Sequence, residues 1–272
     1  SLEKVLESAF GMGVSIVTVF AFSTENWNRS KEEVDGLFDI LRNYFHSHPG
    51  EYAERGIQVK FLGDLSRLPA DLIEACGVIA DKTADCDKFQ LNIALNYGGR
   101  DELLRAARLA AESGEELTEE SFKKFLYTGD IPDPDLVVRT SGEMRVSNFL
   151  LYQTAYSELY FTDTLWPDFG ERELKAAIED YRKRSRRFGR DSLLIKMILH
   201  GVQFAERLDI LWRYRDVLAD LLFAGTARHV AHRDVTFQVV ALVDEPQQVA
   251  GGLGDDGDAF LAVFAALQVG CS

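Results

Sequence analysis

The chain has 272 residues, 46% of them hydrophobic and 27% charged, with a formal net charge of −14, enough apolar material for one large domain or a domain with an appendage. The acidic balance excludes a general nucleic-acid binder, which holds phosphate backbones with a positive surface field, so any anion must be met by local charge. Cys76, Cys86 and Cys271 share no metal-ligand or redox spacing, no apolar run reaches the roughly 18 residues of a membrane span, and "SLEKVLESAF" lacks a leader's basic start, so a soluble cytoplasmic protein is expected.

In chain order, a helical period over 2–10 feeds the apolar run "VSIVTVFAF" (14–22), the first strand candidate. A chain that opens on a helix leading into a strand reads as one whose opening strand is missing. The loop "STENWNRS" (23–30) follows. Ser30 with Glu33 fits a capping box before the amphipathic pattern 31–47, and a helix N-terminus favours anions. Ser23, Glu25, Asn26 and Arg29 fit either a solvated loop with a surface ion pair or an anion site. Trp27, an indole in a polar loop, packs over core or over a ligand.

Strands at 57–63 and 89–95 then alternate with helical patterns at 70–83, 101–112 and 118–127. "NYGGR" (96–100) reads as a strand-to-helix turn in which Gly98 and Gly99 supply backbone freedom. Leu37, Phe38, Ile40, Leu41 and Phe45 recur at helical spacing, and Leu91, Ile93 and Leu95 alternate on a strand; these are core positions and candidates to line an apolar tunnel.

The run "DLVVRT" (135–140) is the fourth strand, and "RTSGEMRVSNF" (139–149) extends beyond it. As a plain polar turn this stretch would pair Arg139 with Glu143. As a site, Arg145 and Ser147 in an extended geometry point the same way and clamp a tetrahedral anion, phosphate or diphosphate. "NFLLYQTAYS" looks helical, a fifth strand follows at 158–163, and Glu158 at its edge is either a paired surface acid or a ligand for a hard cation. A last helical pattern at 171–187 ends in the basic "RKRSRRFGR", itself compatible with a solvated helix end. Strands that are apolar throughout and alternate with helices predict a parallel α/β sheet, with ligands at the carboxyl ends of its strands.

Beyond about 190 lies an extension, 191–272, that is partly helical by pattern. It carries a strand in "VTFQVVALVDEP" and an acidic turn at Asp255, Asp256 and Asp258. His200, His229 and His232 there match no compact ligand spacing.

The blocks "FAFSTENWNRSKEEV", "LGDLSRLP", "LNIALNYGGRDELL", "PDLVVRTSGEMRVSNFLLYQTAYSELYFTDTLWPDF" and "RRFG", in that order between Leu2 and about Arg190, resemble the cis-prenyltransferases, and most closely the bacterial undecaprenyl diphosphate synthases. The resemblance implies that 1–190 is a parallel-sheet cis-prenyltransferase domain with its first strand missing and 191–272 an unrecognised extension. It implies a homodimer that adds isopentenyl diphosphate units, with Mg2+, to an allylic diphosphate such as farnesyl diphosphate, making cis double bonds. Undecaprenyl diphosphate for the cell-wall carrier lipid would be delivered to the membrane from the cytoplasmic side. Substrate contacts are implied at Ser23, Thr24, Glu25, Trp27, Arg29, Arg139, Arg145, Val146 and Ser147, a catalytic role as proton acceptor at Asn26, a metal ligand at Glu158, and contact with the partner's site at Arg187 and Gly189.

A primary amide is a very poor base, so Asn26 is expected to orient while a substrate phosphate oxygen competes for the proton. The family's "M-D-G-N-x-R" loop with its metal-binding aspartate does not occur in these residues, and Met144 stands where some relatives carry a histidine. Alternatives are a dolichol-type or shorter product, and a noncatalytic subunit of a heteromeric prenyltransferase. The intact arginine and serine block argues against the latter.

Overall fold

Continuous apolar runs with β-branched and aromatic residues become strands, and the 3.6-residue patterns between them become helices. The computed structural model describes residues 2–47, 50–186, 238–242 and 266–269, the last two in backbone only. The order is α1 (Leu2–Gly11), β1 (Val14–Ser23), α2 (Lys31–Ser47), α3 (Glu51–Glu54), β2 (Ile57–Leu62), α4 (Ala70–Thr83), β3 (Phe89–Tyr97), α5 (Gly99–Ser113), α6 (Glu119–Lys123), β4 (Leu136–Arg139), β5 (Glu158–Phe161), α7 (Glu171–Lys183), β6 (Gln238–Leu242) and β7 (Ala266–Val269). The five expected strands and the helices at 2–10, 31–47, 70–83 and 101–112 are all present.

Three local expectations are not met as given. The 118–127 helix shortens to the five residues of α6, and the 171–187 helix ends at Lys183. "NFLLYQTAYS" is a string of turns, because Asn148 and Leu150 take φ values of 62° and 45° that no right-handed helix accommodates.

The seven described strands form one sheet in the order β2-β3-β1-β6-β7-β4-β5. β2, β3, β1, β6, β4 and β5 run parallel, and β7 is antiparallel to its neighbours. The expected parallel α/β sheet is therefore observed. The edge of β1 that faces β4 is met by β6, a segment from the far end of the sequence, with Val17 opposite Val239. β7 registers against the same edges, with Val17 opposite Leu267. The described chain through Arg182 belongs to one compact unit with these two strands. Arg187, Gly189, the three histidines of the extension and its Asp255–Asp258 turn lie outside the described residues.

Side chains alternate across the sheet and give it two apolar layers. Val17 and Val19 face a layer shared with Leu6, Phe38, Leu72 and Ile178. Ile16 and Phe20 face a layer with Tyr97, Val137 and Phe149. A register shift in β1 between Phe20 and Phe22 turns Phe22 into the first layer, against Phe38 and Trp27. The tunnel candidates Phe38, Leu41, Phe45, Leu91, Ile93 and Leu95 are all buried in that first layer, with Leu37 partly buried against it. Cys76 is buried, which pushes its thiol up to about 12, and Cys86 is a free thiol at intermediate exposure; neither has the environment of a reactive cysteine.

Candidate active site

Because β1, β2, β3, β4 and β5 are parallel, their carboxyl ends share one rim, formed by Ser23, Leu62, Tyr97, Arg139 and Phe161. The loops that leave this rim carry most of the residues singled out from sequence.

After β1 the chain makes a 3-10 turn, Thr24–Asn28. The Asn26 side-chain carbonyl accepts a hydrogen bond from the Ser23 backbone N–H at 2.7 Å. The Ser30 to Glu33 capping box forms as expected: the Glu33 carboxylate accepts from the Ser30 backbone N–H at 3.1 Å, and the Ser30 hydroxyl accepts from the Glu33 N–H at 3.3 Å. The Ser30 hydroxyl, which also donates to the carboxylate at 3.0 Å, and the Ser30 N–H together hold the Glu33 carboxyl below its usual range. The Trp27 indole is half-buried. Phe22 and Phe38 meet it edge-on, with ring centroids at 5.2 and 5.6 Å, and the Arg67 guanidinium lies 5.1 Å from its ring.

After β4 the chain turns away from the extended form expected for 145–147. Ser141, Ser147 and Asn148 have φ values of 67°, 46° and 62°, so strand alternation does not aim Arg145 and Ser147. Arg139 is 2% exposed at the carboxyl end of β4. Arg145 is an exposed side chain that forms an ion pair with Glu143. The expected polar-turn pairing thus falls to Arg145 instead of Arg139, because Arg139 is held inside the strand. Val146 packs against the second apolar layer.

The residue that joins these loops is Asn148, which carried no local signal beyond the tolerance of asparagine for left-handed backbone. Its amide donates to Glu25 Oε1 at 2.7 Å, its carbonyl Oδ1 accepts from the Arg100 backbone N–H at 2.9 Å, and its backbone carbonyl accepts from the Gly99 N–H at 2.7 Å. One side chain therefore fastens the loops after β1, β3 and β4. Thr24 adds a second tie, its hydroxyl donating to Glu25 Oε2 or Asp101 Oδ2, each at 3.2 Å.

Gly98 and Gly99 serve this junction by being small. Gly98 has an ordinary extended φ of −152°, so the expected need for backbone freedom is not the reason for glycine there. A Cβ on Gly98 would collide with the Thr24 hydroxyl, and one on Gly99 would lie 2.9 Å from the Asn148 carbonyl oxygen. Asn148→Ala should cost about 2 kcal/mol, from two hydrogen bonds lost to exposed partners and an alanine set at positive φ. Asn148→Gly loses the same bonds without the strain and should cost about 1 kcal/mol. Urea unfolding midpoints of both variants check this, and midpoints equal to the parent's would mean that the junction does not depend on the side chain.

Beside the junction opens a cleft of about 500 Å³ lined by Thr24, Asp64, Arg67, Asn96, Arg105 and Tyr127, among others. Hydrogen bonds from the Ser66 hydroxyl and N–H hold the Asp64 carboxyl below its usual range. The Arg105 guanidinium sits 4.4 Å from the Tyr127 ring and donates to the Phe125 carbonyl. Behind the rim, the buried Glu102 carboxylate accepts from the Tyr97 hydroxyl, Gln153 and the Tyr127 backbone N–H, at 2.5, 3.0 and 2.8 Å. Each oxygen has a partner, so α5 is fixed to the turns that follow β4.

Glu158 is placed differently. It opens β5, in register with Leu136, while Arg139 is opposite Phe161. Three residue steps of about 3.3 Å separate it along the strand from the rim, so within one chain it stands roughly 10 Å from the level of Arg139. Among the described residues no three His, Cys, Asp or Glu side chains gather as a metal site.

Residues 1–189 match the family model described as "Putative undecaprenyl diphosphate synthase". The isoprenyl transferase of Aquifex aeolicus is 46% identical over 189 residues, covering 69% of this chain and 82% of that protein. A tritrans,polycis-undecaprenyl-diphosphate synthase of Thermoplasma acidophilum, named as geranylgeranyl-diphosphate specific, is 46% identical over 199 residues, 70% of this chain and 77% of its own. The crystal structure of lavandulyl diphosphate synthase from Lavandula x intermedia, in complex with dimethylallyl diphosphate, superposes with a TM-score of 0.67 at 36% identity, over 69% of this chain and 84% of that one.

Proposed function

Since the chain belongs to the undecaprenyl diphosphate synthase family and is a prenyl transferase, we propose that it condenses isopentenyl diphosphate onto farnesyl diphosphate with new cis double bonds, giving undecaprenyl diphosphate for the cell-wall carrier lipid. The observation that carries this reading is the joined rim: the loop after β1 and the arginine and serine loop after β4 meet through the 2.7 Å bond between Asn148 and Glu25. Two substrates that must react with each other need two binding loops held at a fixed separation.

In each cycle the allylic C1–O bond breaks and diphosphate leaves. The isopentenyl double bond attacks C1, and a proton is lost from the isopentenyl C2. Arg139, Arg145, Val146 and Ser147 receive the isopentenyl diphosphate, where fixed guanidinium donors match its charge. Ser23, Thr24, Glu25, Trp27 and Arg29 form the facing contacts.

Asn26 orients and does not act as the base. Its carbonyl already accepts from the Ser23 N–H, and an amide so engaged is an even poorer proton acceptor. The proton goes instead to a phosphate oxygen of the substrates.

Mg2+ belongs to the same reading, as the ion that neutralises a departing diphosphate. The described residues do not by themselves make its site: Glu158 stands at the amino end of β5, and no three His, Cys, Asp or Glu side chains gather as a metal site among the described residues. No step is therefore routed through the ion. The homodimer, with Arg187 and Gly189 reaching the partner, is part of the proposal. So is delivery to a membrane from the cytoplasm; among the described residues no helix is long and apolar enough to cross one. A longer primer is a second reading, favoured by the name of the Thermoplasma relative.

Radiolabelled isopentenyl diphosphate supplied with farnesyl or geranylgeranyl diphosphate and Mg2+ tests both readings. Polyprenyl products containing cis units are expected, with the better primer deciding between the two. All-trans products, or no incorporation with either primer, would overturn both.

A further inference from the structure

Asn96 is the penultimate residue of β3, and it is 3% exposed with a left-handed φ of 47°. Both ends of its amide are used. Its Oδ1 accepts from the Trp27 indole N–H at 2.7 Å, and its Nδ2 donates to the Asp64 backbone carbonyl at 2.7 Å. The partners lie on two different loops, one leaving β1 and one leaving β2. Arg67, three residues beyond Asp64, lies against the Trp27 ring at 5.1 Å, so the turn that Asn96 fixes from below also supplies the cation that contacts the indole.

With Phe22 and Phe38 on its edges, the indole is confined on several sides, but only Asn96 gives it a directional bond. Packing limits how far a ring slides, whereas a hydrogen bond from its one N–H sets its rotation in plane.

We propose that Asn96 is a positioning residue for prenyl transfer. It sets the orientation of Trp27 toward the substrates and ties it to the turn Asp64–Arg67 that borders the cleft. This rests on the reading of Trp27 as a substrate contact.

Asparagine suits the position chemically. It offers an acceptor and a donor on one short arm and tolerates positive φ at little cost. Asn96→Gly keeps the backbone freedom and removes both bonds. Asn96→Asp keeps an acceptor for the indole but sets a carboxylate oxygen against the Asp64 carbonyl.

The test combines selective 15N-tryptophan spectra with steady-state kinetics, the Trp27 indole signal being assigned with Trp27→Phe. In the parent that signal should be shifted downfield and protected from solvent exchange. In Asn96→Gly it should move upfield and exchange about tenfold faster or more, with kcat/KM for the allylic primer falling about tenfold. Asn96→Asp should keep the indole signal near its parent position and lose less activity.

An indole signal that does not move in Asn96→Gly overturns the proposal. So does one that moves while kcat and KM both stay at parent values. Failure of the functional reading is distinct: a parent protein that shows the bonded indole but extends no primer removes the catalytic role for Trp27 and Asn96 together, whereas an active parent matched by Asn96→Gly removes only the role of Asn96.

Discussion

Alanine at Gly63 is expected to keep the chain from reaching its native fold. Gly63 has a φ of +125°, and a Cβ there would land on the backbone oxygen of Leu95, with the Asn96 oxygen at 3.1 Å. The backbone conformation alone costs an L-residue about 1–3 kcal/mol. The collision adds to this because neither strand can withdraw: Leu62, the residue before, is paired with Ala94 at the end of the parallel β2 and β3 ladder. A combined loss above about 4 kcal/mol removes much of the roughly 5–15 kcal/mol by which domains are stable. Gly56 supplies the contrast. Its φ of +71° is also left-handed, but a Cβ would meet only the Lys88 side chain, at 2.7 Å from Cδ, and that chain can swing aside. Gly56→Ala should cost about 1 kcal/mol. Soluble yield and urea midpoints of the two variants decide it, and a Gly63→Ala protein as stable as Gly56→Ala would mean that the β2 exit is not constrained as described.

The second large effect is expected at Arg139, and it should exceed that at Arg145. Arg139 is buried at the end of β4, where a fixed guanidinium acts on an anion through a medium far less screening than water. Arg145 has a side chain that is 62% exposed and already shares its charge with Glu143, so solvent and a competing carboxylate discount its contribution. Arg139→Ala should weaken isopentenyl diphosphate binding by about 3 kcal/mol, near the top of the range for charge-assisted hydrogen bonds, and Arg145→Ala by about 1 kcal/mol. Calorimetric titration with isopentenyl diphosphate reads the difference. Thermal unfolding of each variant separates lost binding from lost structure. Equal losses at the two positions would mean that Arg145 leaves Glu143 and closes on the ligand, and the ranking by burial would be wrong.

Local signals carried the frame. The Ser30 to Glu33 capping box spans three residues and forms as the spacing predicts. The strand runs at 14–22, 57–63 and 89–95 form because their side chains can be buried on both faces of a parallel sheet. The loop after β4 was the least legible part. Its residues were identified, but the extended geometry assumed for Arg145 and Ser147 ignored the left-handed backbone at Ser147 and Asn148. Asn148 itself, the bridge between loops, is defined by partners 48 and 123 positions away, which no window of sequence contains. Gly98 was identified for the wrong reason: its lack of a side chain admits Thr24, a residue of another loop. Glu158 opens the strand 158–163 in sequence as in the structure, but its distance from the rim follows only from the register that sets it beside Leu136 and Phe161 beside Arg139.

The sequence distances bridged by the rim also set a timetable for its assembly on the ribosome. Glu25 and Asn148 are 123 positions apart, and Trp27 and Asn96 are 69 apart. At a synthesis rate of about 5–20 residues per second, the loop after β1 waits roughly 3–14 s before Asn96 is made and roughly 6–25 s before Asn148 is made. Contacts of such separation also carry a large loop-closure cost and form late in folding. Trp27 gains Arg67 and Asn96 as soon as those are made, whereas Glu25 waits for Asn148, so a chain stalled before Asn148 carries the first loop complete in sequence but not yet fastened to the loop after β4.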